Sequence, residues 1–317
     1  MKVLITGSYG FIGYNVAMKL LKQGHTVIGL DRERTAISQK APRIEALQTS
    51  FGAGGHFIHE ECDLKDQQRV IDIFRRHKPQ WVIHFAAQYA IAPLTDEVLQ
   101  RYMWSNCEGF GNILWACKEV GVRRMIYASS TFVEDNIMST HTYGATKVFN
   151  EHLANVFTTS YGMRCIGIRY GSTFGTWCRP DVGASLVCKR MFSGVEHPNK
   201  GGYLYKTAFL WSEDAVDGTL MAMQQDYENP HERFTLVMDD ERYSLADFAR
   251  LAHELTGIPY NPRQEPFKDS PGGGGVPVSA IQQMKTLMHW TPQVCFESAV
   301  AKFVSWYKDQ WDAGKIK

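Results

Sequence analysis

Short apolar runs alternate with helically spaced ones through the first half of the chain. Val3-Leu4-Ile5, Val27-Ile28-Gly29-Leu30, His56-Phe57-Ile58, Trp81-Val82-Ile83-His84, Met125-Ile126-Tyr127-Ala128 and Cys165-Ile166-Gly167-Ile168 predict strands. They lack strict alternation, as strands of a parallel sheet covered on both faces do. Helical spacing over 11–23, 66–76, 98–119 and 144–160 predicts the segments between them. Strand, helix, strand at this rhythm predicts an α/β fold with a Rossmann-like, doubly wound parallel sheet. After about residue 170 Gly and Pro become denser. Helices are expected near 182–193, 213–225, 244–256, 280–288 and 296–311, among short extended pieces. We therefore expect a first domain over 1–170, to which the chain returns near 209–237. A smaller C-terminal α/β lobe is expected over 171–317. Pro271-Gly-Gly-Gly-Gly-Val-Pro277 reads as a surface loop, or as one that closes over ligand. There is no internal repeat.

The chain has 317 residues, 44% of them hydrophobic and 21% charged, which is globular composition. Lys and Arg exceed Asp and Glu by only 34 − 33 = 1. That balance argues against nucleic acid or an acidic membrane as partner, since either needs a basic surplus. No apolar run approaches the roughly 18 residues of a membrane span. The seven cysteines include no Cys-x-x-Cys pair, so neither zinc nor a disulfide framework is expected. The chain reads as cytoplasmic and reduced. His56 and His59 fall on opposite faces of a strand, and we expect no metal there.

Thr6-Gly7-Ser-Tyr-Gly10-Phe11-Ile12-Gly13 follows the first strand and opens a helix. Gly7 permits a tight turn, Gly10 lets a diphosphate approach the backbone, and Gly13 lets helix and strand pack closely. The helix N-terminus adds unpaired N–H groups and a positive dipole end. Asp31 ends the second strand, 31 − 13 = 18 residues past the last glycine. A carboxylate there accepts from an adenosine ribose diol and repels a 2′-phosphate, which favours NAD over NADP. Its neighbour Arg32 pulls slightly the other way.

Tyr143-Gly-Ala-Thr-Lys147 opens a predicted helix, with Tyr and Lys on one face. An ammonium there is expected to lower the Tyr143 pKa and make it a usable base. Ser129-Ser130 ends a strand where a doubly wound sheet opens its crevice, so Ser130 can hydrogen-bond the hydroxyl that Tyr143 deprotonates.

Together these stretches resemble the extended short-chain dehydrogenase/reductases, in particular the NAD-dependent sugar-nucleotide epimerase/dehydratase group. The resemblance is carried by Thr6-Gly7-x-x-Gly10-x-x-Gly13, Asp63-Leu64, His84-Phe85-Ala86-Ala87, Asn106, Ser129-Ser130, Tyr143-x-x-x-Lys147 and Arg169-Tyr170. It implies a tightly held NAD, with Asp63 and Leu64 near the adenine and Phe85, Ala86 and Ala87 along the ribose and phosphates. Asn106, Tyr143 and Lys147 then lie towards the nicotinamide ribose, and Tyr170 joins the cofactor residues. It also implies a nucleotide-sugar substrate touching Gln88, Thr131, Ser172 and Arg179, and a homodimer built from helices like 98–119 and 144–160.

The departures narrow the chemistry. Dehydratases of this group carry Asp-Glu after the catalytic Ser or Thr, and decarboxylases carry Glu at the second place. Here the pair is Thr131-Phe132. Val133-Glu134-Asp135 stands for the group's Val-Tyr-Gly. Gly171-Ser172 stands where an Asn faces substrate, and Thr207-Ala208-Phe209 lacks the diphosphate-binding arginine of Arg-Asp-Phe. Gly175-Thr-Trp-Cys-Arg179-Pro-Asp181 resembles a stretch of UDP-glucuronate 4-epimerases. The expectation is a nucleotide-sugar epimerase acting through a 4-keto intermediate, on a UDP-uronate or UDP-hexose. Alternatives are a 4-keto reductase, dehydratase or oxidase of the same fold, and a non-catalytic NAD-binding protein.

Overall fold

A computed structural model describes residues 1–32, 40–89, 95–133, 142–195, 206–238, 243–259 and 276–316. Glu134 and Asp135, and Pro271–Gly275 of the glycine-rich stretch, lie outside these. Six strands form in the predicted places: β1 (Lys2–Thr6), β2 (Thr26–Asp31), β3 (Phe57–Glu61), β4 (Trp81–His84), β5 (Arg124–Ser130) and β6 (Arg164–Tyr170). Later come β7 (Ser172–Phe174), β8 (Phe209–Trp211) and β9 (Arg233–Leu236). The main sheet is parallel throughout, in the order β3-β2-β1-β4-β5-β6-β9. Its strand order reverses between β1 and β4, so the carboxyl ends of those strands open a crevice.

Strands β1, β2, β4, β5 and β6 each feed two cores. Val3 and Ile5 of β1 pack on one face with Val27, Ile83 and Ile126, while Leu4 packs on the other with Ile28, Val82 and Met125. Burying one such aliphatic side chain contributes about 1.5–3 kcal/mol. One face is covered by α1 (Phe11–Lys22) and α8 (Ser212–Gln224), the other by α3 (Gln67–His77), α5 (Gly109–Val120) and α6 (Thr142–Tyr161). Asp66 caps α3 by accepting from the Arg69 N–H at 3.0 Å.

A third core joins β7, β8, α7 (Gly183–Ser193), α9 (Leu245–Thr256) and α11 (Phe296–Asp312) around Phe174, Trp211, Phe248 and Phe303. The segment near 209–237 divides between the two regions. β8 pairs with β7 in a separate two-stranded sheet, whereas β9 adds to the main sheet beside β6. A last helix, α10 (Val278–Thr286), packs with the first core through Ile281 and Met284.

Two features differ from the sequence expectation. The helix expected over 98–119 is α4 (Asp96–Tyr102), a π-helical stretch over Met103–Glu108, and then α5. The wide turn carries Asn106 into the protein, where it is 1% exposed. An unexpected helix, α2 (Lys40–Leu47), follows the second strand. Its Pro42 falls in the first turn, where a missing N–H costs little. Among the described residues no helix is long and apolar enough to cross a membrane.

Candidate active site

The glycine loop is built by close backbone approach. Gly7 has φ +70°, and a Cβ on it would stand 2.8 Å from the Ala86 backbone nitrogen. A Cβ on Gly13 would stand 2.3 Å from the Gly7 carbonyl oxygen. The loop is therefore pressed against Phe85-Ala86 after β4, at the sheet's switch point. The Gly10 N–H donates to the Gly7 carbonyl at 2.8 Å, and Gly10 then starts α1 without a side-chain cap or an acidic first turn. A helix N-terminus without a side-chain cap, beside a cradle that a Cβ would fill, fits a dinucleotide diphosphate.

Around the loop, Asp31 accepts from the Tyr9 N–H at 2.9 Å and from Lys40 Nζ at 3.1 Å. Lys40 was not singled out by spacing. It stands on α2, whose position depends on tertiary packing. Arg32 reaches Asp63 at 3.4 Å, so the residue that pulled towards NADP is engaged by a carboxylate. The Leu64 carbonyl accepts from Asn112, and Ala86 donates to Thr6 Oγ1, which also meets His84 Nδ1 at 2.9 Å. Phe11 is buried, Ile12 partly so, and Ala87 is exposed.

The second cluster stands at the end of β5. Tyr143 and Lys147 share one face of α6, and both are buried. Lys147 Nζ donates to the Ala128 carbonyl at 2.8 Å and lies 5.5 Å from the Tyr143 ring centroid. Ser130 is buried and its hydroxyl accepts from the Phe132 N–H at 3.3 Å. The Phe132 ring meets Tyr143 at 6.2 Å and 90°. Tyr89 meets Tyr143 edge-on at 4.9 Å, and the Arg179 guanidinium lies 4.6 Å from the Tyr89 ring centroid. Arg179 also grips Asp181 through two bonds of 2.8 and 2.6 Å. Thus Tyr143 and Lys147 of α6, Phe132, Tyr89 and Arg179, from four separate stretches, come together around the Tyr143 ring.

The expected lowering of the Tyr143 pKa is corrected by this geometry. Burial pushes the phenol up, and the facing Tyr89 and Tyr102 add to that, against a lowering by Arg179. A buried phenolate loses its solvation, and here that outweighs the nearby cation. Lys147 is itself pushed down to about 8 by burial, which Cys107 and Glu151 only partly oppose.

Several expected contacts are otherwise engaged. Asn106 accepts from the Gln88 N–H at 2.7 Å and donates to the Gln88 carbonyl and to Thr146 Oγ1, both at 3.1 Å. Its amide thereby ties the β4 crossover to α6. The Tyr170 hydroxyl meets Thr219 of α8 at 2.6 Å, within the core, while its carbonyl accepts from Thr131 at 3.4 Å. Ser172 pairs with Thr207 at 3.0 Å. Sequence reasoning missed Glu151, one turn beyond Lys147. It accepts from Ser129 Oγ at 2.6 Å and from Arg169 at 2.8 and 2.6 Å. The i, i+4 spacing from Lys147 was the available signal.

Fold and site together define an α/β enzyme that binds a dinucleotide at the switch point of a parallel sheet. A model of the NAD dependent epimerase/dehydratase family matches residues 3–237, and the chain belongs to that family. NAD is its cofactor. Relatives at 26% identity include Protein CapI of Staphylococcus aureus, matched over 98% of this chain and 99% of that one. Another is the UDP-glucuronate 4-epimerase of Thermodesulfobacterium geofontis, 26% identical over 96% of each chain. The fold is similar to that of the Bacillus cereus UDP-glucuronic acid 4-epimerase in complex with UDP-glucuronic acid and NAD. There the TM-score is 0.83 at 22% identity, over 98% of this chain and 99% of that one. It is equally similar to the Thermotoga maritima UDP-glucose 4-epimerase, with TM-score 0.83 at 23% identity over 98% and 100%.

Proposed function

We propose that the protein is a nucleotide-sugar 4-epimerase whose substrate is a UDP-uronate. The observation that carries this reading is the grouping of Ser130, Tyr143 and Lys147 at the carboxyl end of β5, with Arg179 one aromatic ring away. Bound NAD supplies a reversible hydride acceptor for the substrate carbon. Tyr143 takes the proton of the C4 hydroxyl and returns it after the 4-keto sugar has turned; because burial raises its phenol, it serves as the base only where positive charge from Lys147 and from bound NAD offsets the lost solvation. Ser130 hydrogen-bonds the same oxygen. Lys147, held on the Ala128 carbonyl, keeps positive charge beside the Tyr143 ring. Both halves use the same groups, so no cofactor is consumed.

Phe132 bears on the choice of reaction. Its ring packs edge-on against Tyr143, at the place where a decarboxylase carries a carboxylate. A hydrocarbon can neither hold nor move a proton, so a 4-keto uronate keeps its carboxyl group. The likeness to relatives named UDP-glucuronate 4-epimerase supports the uronate. Arg179 offers a planar fork that suits a carboxylate.

The substrate lobe is formed mainly by 171–317, and the NAD-binding domain by 1–170. A homodimer through α5 and α6 is supported by the exposed Met103, Trp104, Trp115, Phe149 and Val156 on those helices and the π turn before them. We place the enzyme in cytoplasmic carbohydrate biosynthesis.

Incubation with UDP-glucuronate, followed by NMR of the products, tests the reading. UDP-galacturonate is expected, with no pentose. An inert substrate rejects the uronate, and UDP-xylose rejects the epimerase. Tyr143→Phe should lose at least about 10²-fold in rate while keeping NAD.

A further inference from the structure

Arg43 stands out among the charged residues of the first domain. It lies on α2, 2% exposed, and its Nη1 donates to the Tyr9 carbonyl at 2.9 Å. Nε and Nη2 are shielded from water, and among the described residues neither has a partner. A buried guanidinium usually faces a carboxylate, because an unpaired charge out of water is costly. The acid among the groups acting on Arg43 is Asp31, whose two oxygens already accept from Tyr9 and Lys40. The other neighbours that favour its charge are the Cys178 thiol and the Tyr14 phenol, and Arg179 opposes it. Burial accordingly pushes Arg43 down to about 10. Among the described residues nothing completes this cation.

The atom Arg43 does hold locates it. Tyr9 directly precedes Gly10, the residue that starts α1. That helix has twelve residues, no side-chain cap and no acidic residue in its first turn. Two independent features therefore meet within one residue of the loop: free N–H groups at a helix N-terminus, and a buried guanidinium with donors to spare. Both call for a compact anion with several acceptor oxygens.

We propose that Arg43 is a binding residue for the diphosphate of the dinucleotide, completing from α2 the cradle that the glycine loop forms from β1 and α1. The assignment rests on the reading of Gly7–Gly13 as the dinucleotide site. It also gives α2 a purpose. The helix brings Lys40 to Asp31, at the ribose end of the site, and Arg43, three residues on, to the loop carbonyl.

The alternative is that Arg43 only braces the loop through Tyr9. The two roles part according to whether the ligand carries phosphate. Titration calorimetry of the purified protein with NAD, ADP and adenosine separates them, using wild type, Arg43→Met and Arg43→Lys. Loss of charge-assisted hydrogen bonds predicts that Arg43→Met weakens NAD and ADP by about 10- to 100-fold. Adenosine should change less than about threefold, and Arg43→Lys should fall between. Equal losses for adenosine and ADP, or ADP held within about twofold of wild type, overturn the proposal. If Arg43→Met does not fold, Arg43→Lys carries the same comparison, since an ammonium keeps charge but not the fork. A wild type that binds neither NAD nor ADP rejects the dinucleotide site itself. A wild type that binds both while the variants match it rejects only Arg43.

Discussion

Glu151 and Arg169 meet in a two-bond pair beneath the end of β5, at 2.8 and 2.6 Å. The same carboxylate takes the Ser129 hydroxyl at 2.6 Å. Ser129 lies between Ala128, whose carbonyl holds Lys147, and Ser130. The pair thus joins α6, β5 and β6 around the residues assigned to chemistry. Burial pushes the Glu151 carboxyl up, but the bonds and charge of Arg169, with the Ser129 bond, hold it below its ordinary value.

Breaking this pair should destabilise the protein. Glu151→Gln leaves Arg169 without its carboxylate. The expected cost is about 3 kcal/mol, at the low end for buried pairs because the Arg169 side chain keeps 20% exposure. The pH dependence has a definite sign. A carboxyl with a depressed folded pKa stabilises above its unfolded pKa, and that contribution is lost as pH falls through the folded value. The wild type should therefore lose its advantage over Glu151→Gln in acid, below about pH 4. Urea melts from pH 3 to 7 measure it, and a gap independent of pH contradicts the assignment.

Lys147 should show the opposite trend. Its pKa is lowered to about 8 from an ordinary 10.5, so below pH 8 its charge opposes folding. That opposition fades as pH rises towards 10.5, because the unfolded chain then loses the proton too. Without NAD, wild type should gain stability relative to Lys147→Met as pH rises from about 8 to 10.5. Thermal melts of the two apoproteins across that range give the answer, and parallel curves would show that Lys147 is not strained by burial.

The parallel sheet was legible because strands buried on both faces are apolar nearly without interruption. The glycine loop and the Tyr143/Lys147 pair were legible because their geometry is local: a turn with positive φ, and one helix face. Contacts made across the fold were not. Tyr89 follows β4, and only the approach of 175–181 sets Arg179 on its ring. Lys40 and Arg43 belong to a short polar helix whose pattern carries no strong period. Tyr170 sits beside the site in sequence logic, yet its hydroxyl turns into the core to Thr219. The Tyr143 pKa was misjudged for the same reason: spacing reports the neighbouring cation, but not the loss of water.

The choice between NAD and NADP should depend on Asp31. Its carboxylate is held towards the loop by the Tyr9 N–H and Lys40. A 2′-phosphate there meets like charge, so NAD should bind far more tightly than NADP to wild type. Asp31→Ala removes the repulsion and releases Lys40, which then has a phosphate to pair with. We expect NAD to weaken, NADP to strengthen and the gap to narrow. Titration of the apoprotein with each dinucleotide decides it, and equal wild-type affinities would sink the claim.

Arg179 should decide the sugar. Its fork is spent on Asp181, whose side chain is 58% exposed, and its plane rests on Tyr89. An exposed pair of this kind contributes little, roughly 0–1 kcal/mol, so a substrate carboxylate can take the fork over. The aromatic face of Tyr89 keeps the plane oriented during the exchange. Lysine keeps the charge but loses both the fork and the stacking plane. Arg179→Lys should therefore lower kcat/KM for UDP-glucuronate by about 10- to 100-fold, the worth of a charge-assisted pair. UDP-glucose, which has no carboxylate, should change by less than about threefold. Asp181→Asn removes the competitor and should lower the KM for the uronate alone. If both sugars lose equally in Arg179→Lys, the guanidinium serves the diphosphate they share.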